Sequence, residues 1–179
     1  MSKNKQSNTT EDPLSFKRDT RSIREGRIEA YGLVQVSKAN ANPLILIGMM
    51  PKPESHMTPL EKMERLTTGV SKEDLEELKL RTELDYDKLA KLLSVTRATL
   101  INKKGAEKFN VTLSERIIGL ADIYSYGYEV FEDEEKFNKW MFSPNKALGG
   151  NTPYEVSNNQ FGREEVKNII GRIEYGVYS

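Results

Sequence analysis

The sequence predicts an all-α fold, and the first observation behind this prediction is a helix-start signal. Thr58-Pro59-Leu60-Glu61 places a cap residue before a proline at the first helical position and a glutamate three residues after the cap. The second observation is the helical period of the apolar residues near the end of the chain, which are Val166, Ile169, Ile170 and Ile173. Turn signals at 143–145 and 149–150 separate the later segments. The chain is therefore predicted to consist of helices joined by short turns.

Each further helix is predicted from a residue that can cap its first turn. In chain order, these cap residues are Ser71, Asp85, Thr96, Thr112 and Thr152. The segment Thr112–Glu115 has the pattern of a capping box, and it is predicted to open the longest helix. Gly69 is predicted to follow the first helix, Trp140 to end a helix and Gly162 to precede the last one.

The composition excludes several classes of protein. The chain of 179 residues has no cysteine and a single histidine, His56, so disulfides, thiolate or histidine metal clusters and Ser-His-Asp chemistry are excluded. The longest apolar run, Leu44–Met50, is far shorter than the ~20 residues of a membrane-spanning helix, and residues 1–10 do not have the pattern of a signal peptide. No catalytic, metal or cofactor site is expected, and the protein is predicted to be soluble and cytoplasmic.

Residues 1–57 are predicted to form a variable, partly disordered segment. Residues 1 to about 27 are polar and charged with scattered apolar positions, a composition that favours disorder. The apolar residues near Leu33 and from Leu44 to Ile47 are compatible with short strands or with a weakly marked helix. Pro43 and Pro51 bracket the second apolar run and stop a long helix there. No structure is assigned to residues 28–50 from the sequence.

The segment Tyr86–Lys103 has the spacing of a helix-turn-helix motif. The apolar residues that such a motif needs to pack its two helices are present as Leu89, Leu93, Val95 and Leu100. Ala90 is the small residue that allows the second helix to cross closely. Ser94 occupies the turn position where glycine is preferred because the backbone often becomes left-handed there.

The second helix of this motif is predicted to read DNA bases. Its outward-facing residues are expected to be Thr96, Arg97, Ala98, Ile101 and Asn102. An arginine can make two hydrogen bonds to guanine, an asparagine suits adenine, and threonine or alanine can meet a thymine methyl group. Lys103, Lys104 and Lys108 follow and are expected to lie near phosphates, although the whole chain has no net charge. The alternative is a helical hairpin whose leucines form a core and whose lysines are merely solvated.

The C-terminal block, residues 131–179, resembles the toxin-binding domain of the Xre/MbcA/ParS antitoxin family. The matching residues are Trp140-Met141, Pro144-Asn145, Ala147-Leu148-Gly149-Gly150, Thr152-Pro153, Gly162 and the closing run Gly171 to Ser179. Upstream, Gly69-Val70-Ser71, Thr99-Leu100 and Leu113-Ser114-Glu115-Arg116 resemble the Xre-like helix-turn-helix domain of the same family. The resemblance implies a DNA-binding domain over 58–128 and a small helical toxin-binding domain over 129–179.

The same resemblance implies a type II antitoxin that neutralises a RES-domain toxin, an enzyme that consumes NAD. It also implies binding to the operator DNA of its own promoter and self-association, at least as a homo-dimer. The residues expected to contact the toxin are Arg172, Glu174, Tyr175, Gly176, Val177, Tyr178 and Ser179. Aromatic residues and a terminal carboxylate would suit a pocket built for a planar, phosphate-bearing ligand such as NAD. The alternative is that this tail packs on its own domain.

The residues available for the core of the C-terminal domain are Trp140, Phe142, Leu148, Tyr154, Val156, Phe161 and Ile169. Three classes of function remain open from the sequence. The first is an antitoxin that also represses its own operon, and the second is a stand-alone helix-turn-helix transcription regulator. The third is a helical interaction module that does not bind DNA. A toxin gene beside this one would favour the first class, and promoter binding would separate the second from the third.

Overall fold

The structure is a computed structural model that describes residues 42–48 and 50–176. The predictions made for residues 1–41 and for Val177, Tyr178 and Ser179 lie outside the described residues. Within the described ranges the chain forms α1 (Pro59–Thr68), α2 (Lys72–Thr82), α3 (Tyr86–Leu92), α4 (Arg97–Ile101), α5 (Val111–Phe131), α6 (Glu134–Met141), α7 (Pro153–Val156) and α8 (Gln160–Glu174). Single 3₁₀ turns occupy Glu54–His56 and Lys146–Leu148. The all-α prediction is confirmed.

Most of the predicted helix starts are confirmed by their cap geometry. The side chains of Ser71, Asp85, Thr96 and Thr152 each accept a hydrogen bond from the backbone N–H three residues later. Thr58 and Glu61 form a reciprocal capping box, with Pro59 at the first helical position. Such caps satisfy N–H groups that have no partner within the helix. Local sequence therefore fixes where these helices begin.

Two predicted helix starts are wrong. The cap of α5 is Asn110, whose Oδ1 accepts from the Leu113 N–H at 2.8 Å, so the helix begins one residue before Thr112. Gly162 does not precede the last helix but lies in its first turn, behind the cap residue Asn159. A Cβ atom at position 162 would lie 1.7 Å from the Val156 carbonyl oxygen. This glycine is needed because the backbone of α7 approaches α8 so closely.

Helix α5 is the centre of the fold. Its contacts reach α1, α2, α6, α8 and the first 3₁₀ turn, and twelve of its 21 residues are buried. Tyr124 and Tyr128 on α5 meet Phe137 of α6 edge to face, with ring centroids 5.4 and 5.5 Å from the Phe137 ring. Gly127 allows this approach, because a Cβ atom there would lie 2.1 Å from the Phe137 ring. Since α5 runs through the predicted domain boundary at residues 128 and 129, both halves of the protein share it.

The segment upstream of α1, which the sequence left without structure, is part of the core. Ile45, Leu46 and Ile47 are buried. The Glu54 carboxylate is buried with them and accepts hydrogen bonds from the Leu46 N–H at 3.0 Å and the Ile47 N–H at 2.8 Å. Burial raises the pKa of Glu54, although these two bonds favour its charged form. The folded unit therefore extends to residues before Thr58.

The predicted core of the C-terminal half is correct only in part. Tyr154 and Ile169 are buried, and Trp140, Leu148 and Val156 are partly buried against the core. Phe142 and Phe161, however, are 40% and 82% exposed. The rigid corner between α7 and α8 turns the Phe161 side chain outward, and Phe142 rests on one face against Tyr154 with 4.7 Å between ring centroids. No helix in the described part of the chain is long and apolar enough to cross a membrane.

Candidate functional site

Helices α3 and α4 form the predicted helix-turn-helix unit. Leu89, Leu93 and Leu100 are at most 1% exposed, Ala90 is buried and Val95 packs against the same core. Between the two helices Ser94 has a φ of 52°, the left-handed conformation expected at this position. The packing pattern predicted from the sequence is therefore confirmed, with serine in place of the glycine that such turns prefer.

The residues predicted to read DNA lie together on one exposed surface, the reading face. It consists of Thr96, Arg97, Ala98, Ile101 and Asn102, all of which are exposed. The Thr96 hydroxyl is already engaged, because it accepts from the Thr99 N–H at 3.2 Å as the cap of α4. Arg97 retains a 58% exposed side chain and forms an ion pair with Asp87. The arrangement leaves the guanidinium and the Asn102 amide accessible to a groove of DNA.

The lysines predicted to meet phosphates differ in their surroundings. Lys104 is exposed, and its backbone N–H donates to Glu107 at 2.9 Å. Lys103 is partly buried beside the end of α4. The ammonium of Lys108 already has a partner within the protein, because it donates to the Thr68 carbonyl. Of these three lysines, Lys103 and Lys104 are therefore the ones whose ammonium groups remain candidates for phosphate contacts.

Sequence reasoning missed Lys72, which holds the C-terminal end of α4. Its buried ammonium donates to the Leu100 carbonyl at 2.8 Å and pairs with Glu76 at 2.6 Å. Tyr86 contacts both charged groups through its hydroxyl. Burial and the Glu76 carboxylate raise the pKa of Tyr86, which keeps the hydroxyl as a proton donor. The i,i+4 spacing of Lys72 and Glu76 signals an ion pair, but no local pattern signals the bond to α4.

The predicted toxin-contact residues begin where α8 ends. Arg172 pairs with Glu165 at 2.9 Å, and the Tyr126 hydroxyl of α5 donates to Glu174 at 2.5 Å. Tyr175 follows as the C-cap and is 79% exposed. Gly176 then has a left-handed φ of 68°. A shallow groove runs beside this helix end, lined by Tyr126, Glu165, Lys167, Asn168, Gly171, Arg172 and Tyr175.

These two surfaces differ in the chemistry they offer. The reading face presents hydrogen-bond donors and cations, whereas the end of α8 presents an exposed aromatic ring beside charged side chains. No group of three or more potential metal ligands occurs among residues 42–48 and 50–176. The geometry suits recognition of macromolecules at two separate places.

Two family models match the chain over these same regions. The antitoxin Xre-like helix-turn-helix domain matches residues 62–122, and the antitoxin Xre/MbcA/ParS C-terminal toxin-binding domain matches residues 127–176. Together they include both the reading face and the end of α8.

Two curated proteins, each named Antitoxin Xre, are similar to the chain. The protein from Photorhabdus laumondii is 34% identical over 76 residues, which are 42% of this chain and 51% of that protein. The protein from Yersinia enterocolitica is 26% identical over 119 residues, which are 65% of this chain and 80% of that protein. The match thus spans about half the length of the Photorhabdus relative. From both domain models and both relatives, we conclude that the chain belongs to the Xre/MbcA/ParS family of antitoxins.

Proposed function

We propose that this protein is an antitoxin that neutralises a RES-domain, NAD-consuming toxin and represses its own operon by binding operator DNA. The observation that carries the proposal is the presence, on one folded unit, of an exposed reading face and an exposed aromatic segment at the end of α8. Membership of the antitoxin family supports both activities. The assignment of the toxin to the RES-domain class is supported by the resemblance of residues 131–179 to the toxin-binding domain of the family.

The DNA-binding part of the proposal depends on the reading face. Arg97 suits guanine and Asn102 suits adenine, since each side chain can form paired hydrogen bonds in the major groove. Lys103 and Lys104 provide the sequence-independent attraction to phosphates that positions such a helix. Because α4 has only five residues, one copy offers few base contacts. A homo-dimer that places two copies ~34 Å apart would match two half-sites on one side of the duplex.

The toxin-binding part depends on the segment from Arg172 to Ser179. Helix α8 is anchored on α5 by Tyr126, and Tyr175 at its C-terminal end is exposed. An exposed tyrosine at the end of a rigid helix can enter a pocket on a partner with little loss of conformational entropy. In this proposal the tail occupies the toxin's NAD pocket. The groove beside α8 receives side chains of the toxin that surround this pocket.

One experiment tests the two activities separately. The RES-domain protein encoded beside this gene is assayed for NAD consumption with the purified chain, and a promoter fragment is tested by gel retardation. The Arg97→Ala variant should retain full inhibition of the toxin while binding the promoter more weakly than the wild-type chain. Promoter binding without inhibition would instead indicate the stand-alone transcription regulator. Sedimentation at micromolar concentration tests self-association, and a species near 20 kDa would count against a dimer in the absence of DNA.

A further inference from the structure

The serine at the turn of the helix-turn-helix unit has a specific partner. Ser94 is left-handed, a conformation that L-residues other than glycine rarely adopt. Its hydroxyl donates to the carbonyl oxygen of Asn158 at 2.9 Å, 64 residues along the chain. Asn158 lies between α7 and α8, in the half of the protein that matches the toxin-binding domain. A glycine at position 94 would suit the backbone better but could not make this bond.

The backbone of the same turn is held by the central helix. Arg116 of α5 donates to the Leu93 carbonyl at 2.8 Å and to the Ser94 carbonyl at 3.3 Å. The Ser94 N–H donates to the Lys91 carbonyl at 3.2 Å. All polar groups of Ser94 are therefore paired, and its hydroxyl is the group that reaches the C-terminal half.

A second contact joins the first helix of the motif to the C-terminal half. The buried Tyr154 of α7 donates through its hydroxyl to the Lys88 carbonyl of α3 at 3.3 Å. The ammonium groups of Lys88 and Lys91 lie 5.3 and 5.5 Å from the rings of Phe142 and Tyr154. Helix α3 thus rests on the C-terminal half, whereas the reading face on α4 is exposed.

One continuous helix connects the corner that carries Asn158 to the far end of α8. Gly162 packs directly against the Val156 carbonyl, so α7 and α8 cannot move independently without breaking this contact. Helix α8 then extends over 15 residues, about 22 Å at 1.5 Å per residue, to Glu174. A rigid helix with a tight corner at one end and the toxin-contact segment at the other can transmit a displacement between them.

We propose that Ser94 is a positioning residue that couples the reading face to the toxin-contact end of α8. This inference rests on the proposed DNA binding. DNA seated on α4 fixes the turn at Ser94, and the hydroxyl bond to Asn158 passes this restraint to α7 and α8. Because coupling between two binding sites is reciprocal, a partner bound at the end of α8 changes the affinity for DNA by the same factor.

The test uses hydrogen exchange of the full chain with and without a promoter DNA duplex. In the wild-type protein, DNA should slow amide exchange in peptides that cover residues 153–162, far from the reading face. Ser94→Gly should still bind the duplex within about threefold of wild type, because glycine accepts the left-handed turn. In this variant the DNA-induced change at 153–162 should fall below one third of the wild-type change.

The matched control is Glu83→Gly. Glu83 is another exposed residue with a left-handed backbone, φ 56°, at the end of α2, and it makes no hydrogen bond to residues 153–162. In the Glu83→Gly variant, DNA should slow amide exchange at residues 153–162 as much as it does in the wild-type protein. A Ser94→Gly protein that binds DNA and responds like wild type would overturn the coupling. Failure of the wild-type protein to bind the promoter duplex would overturn the proposed DNA binding itself, and the coupling with it.

Discussion

The guanidinium of Arg97 forms an ion pair with the carboxylate of Asp87, with 3.3 Å between Nη1 and Oδ2. Both side chains are largely exposed, 58% for Arg97 and 71% for Asp87. Exposed ion pairs contribute little to stability, because water screens them and two side chains must be ordered. DNA bound at the reading face would therefore compete for Arg97 at small cost, and Asp87 would then place a negative charge beside its phosphates.

Replacing Arg97 with alanine should weaken specific DNA binding by about 1–3 kcal/mol, because a paired contact to guanine is lost. Binding to a scrambled duplex should change much less. Gel retardation with both duplexes at fixed salt measures the difference. Lys139→Ala, which breaks the similarly exposed Lys139–Glu135 pair away from the reading face, is the control. Equal wild-type affinity for the two duplexes would show that α4 does not read bases.

Replacing Asp87 with asparagine should strengthen DNA binding. The substitution frees Arg97 and removes a charge that repels phosphate, a gain of about 1 kcal/mol or less at an exposed site. The gain should shrink as salt is raised from 50 to about 200 mM, because added ions screen exposed charges. Glu135→Gln serves as the control, since Glu135 is also a largely exposed carboxylate that pairs with a cation. Unchanged or weaker affinity would place Asp87 away from the bound DNA.

Local sequence was sufficient wherever the structure depends on residues close together in the chain. The capping box at Thr58 and Glu61 joins residues three apart, and the leucines around Ser94 are fixed by the spacing of two short helices. The end of α8 at Glu174 follows directly from the end of the apolar period at Ile173. The common exposure of Thr96, Arg97, Ala98, Ile101 and Asn102 could be predicted for the same reason, and their contact with DNA stays a prediction.

Competition between two local cap signals, and contacts between residues far apart in the chain, decided the features that the sequence did not predict. Asn110 and Thr112 are both suitable cap residues for α5. Asn110 is the cap in the structure, although the residues from Thr112 to Glu115 match a capping pattern. The buried Glu54 carboxylate gives the upstream segment its structure through bonds that no periodicity signals. The bond from Lys72 to α4 joins residues 28 apart in the chain.

Substitution of Gly162 by alanine should destabilise the protein by about 3 kcal/mol, because a Cβ atom 1.7 Å from the Val156 carbonyl forces the corner open. Urea unfolding followed by circular dichroism measures the loss. Gly171→Ala in the same helix is the control, since its Cβ would meet only the Tyr126 hydroxyl, at 3.3 Å, and alanine favours a helix. Equal stability of the two variants would mean that α7 and α8 are not packed as described.

Acid should weaken the start of α1 through Glu61. The Lys52 ammonium, followed by the N–H and hydroxyl of Thr58, lowers the pKa of Glu61 from 4.5 to about 2. Since the folded-state pKa is depressed, the stabilisation is complete above pH 4.5 and is lost as the pH falls toward 2. The melting temperature of Glu61→Gln should thus fall less between pH 7 and pH 3 than that of wild type. The control is Glu64→Gln, which leaves the contacts of Glu61 in place. Its melting temperature should fall between pH 7 and pH 3 as that of the wild type does.

The sharpest prediction concerns a chain that ends after Glu174. It should keep its fold and its DNA binding, because Ile170 and the Tyr126–Glu174 bond remain and the reading face lies elsewhere. It should lose most inhibition of the toxin, because the proposed function assigns the filling of the toxin's NAD pocket to Tyr175, which is exposed, and the residues after it. In the full chain, Tyr178→Ala should reduce inhibition more than Ser179→Ala, since a buried aromatic anchor typically contributes ~2 kcal/mol or more. NAD consumption by the purified toxin measures each effect, and full inhibition by the shortened chain would mean that another surface controls the toxin.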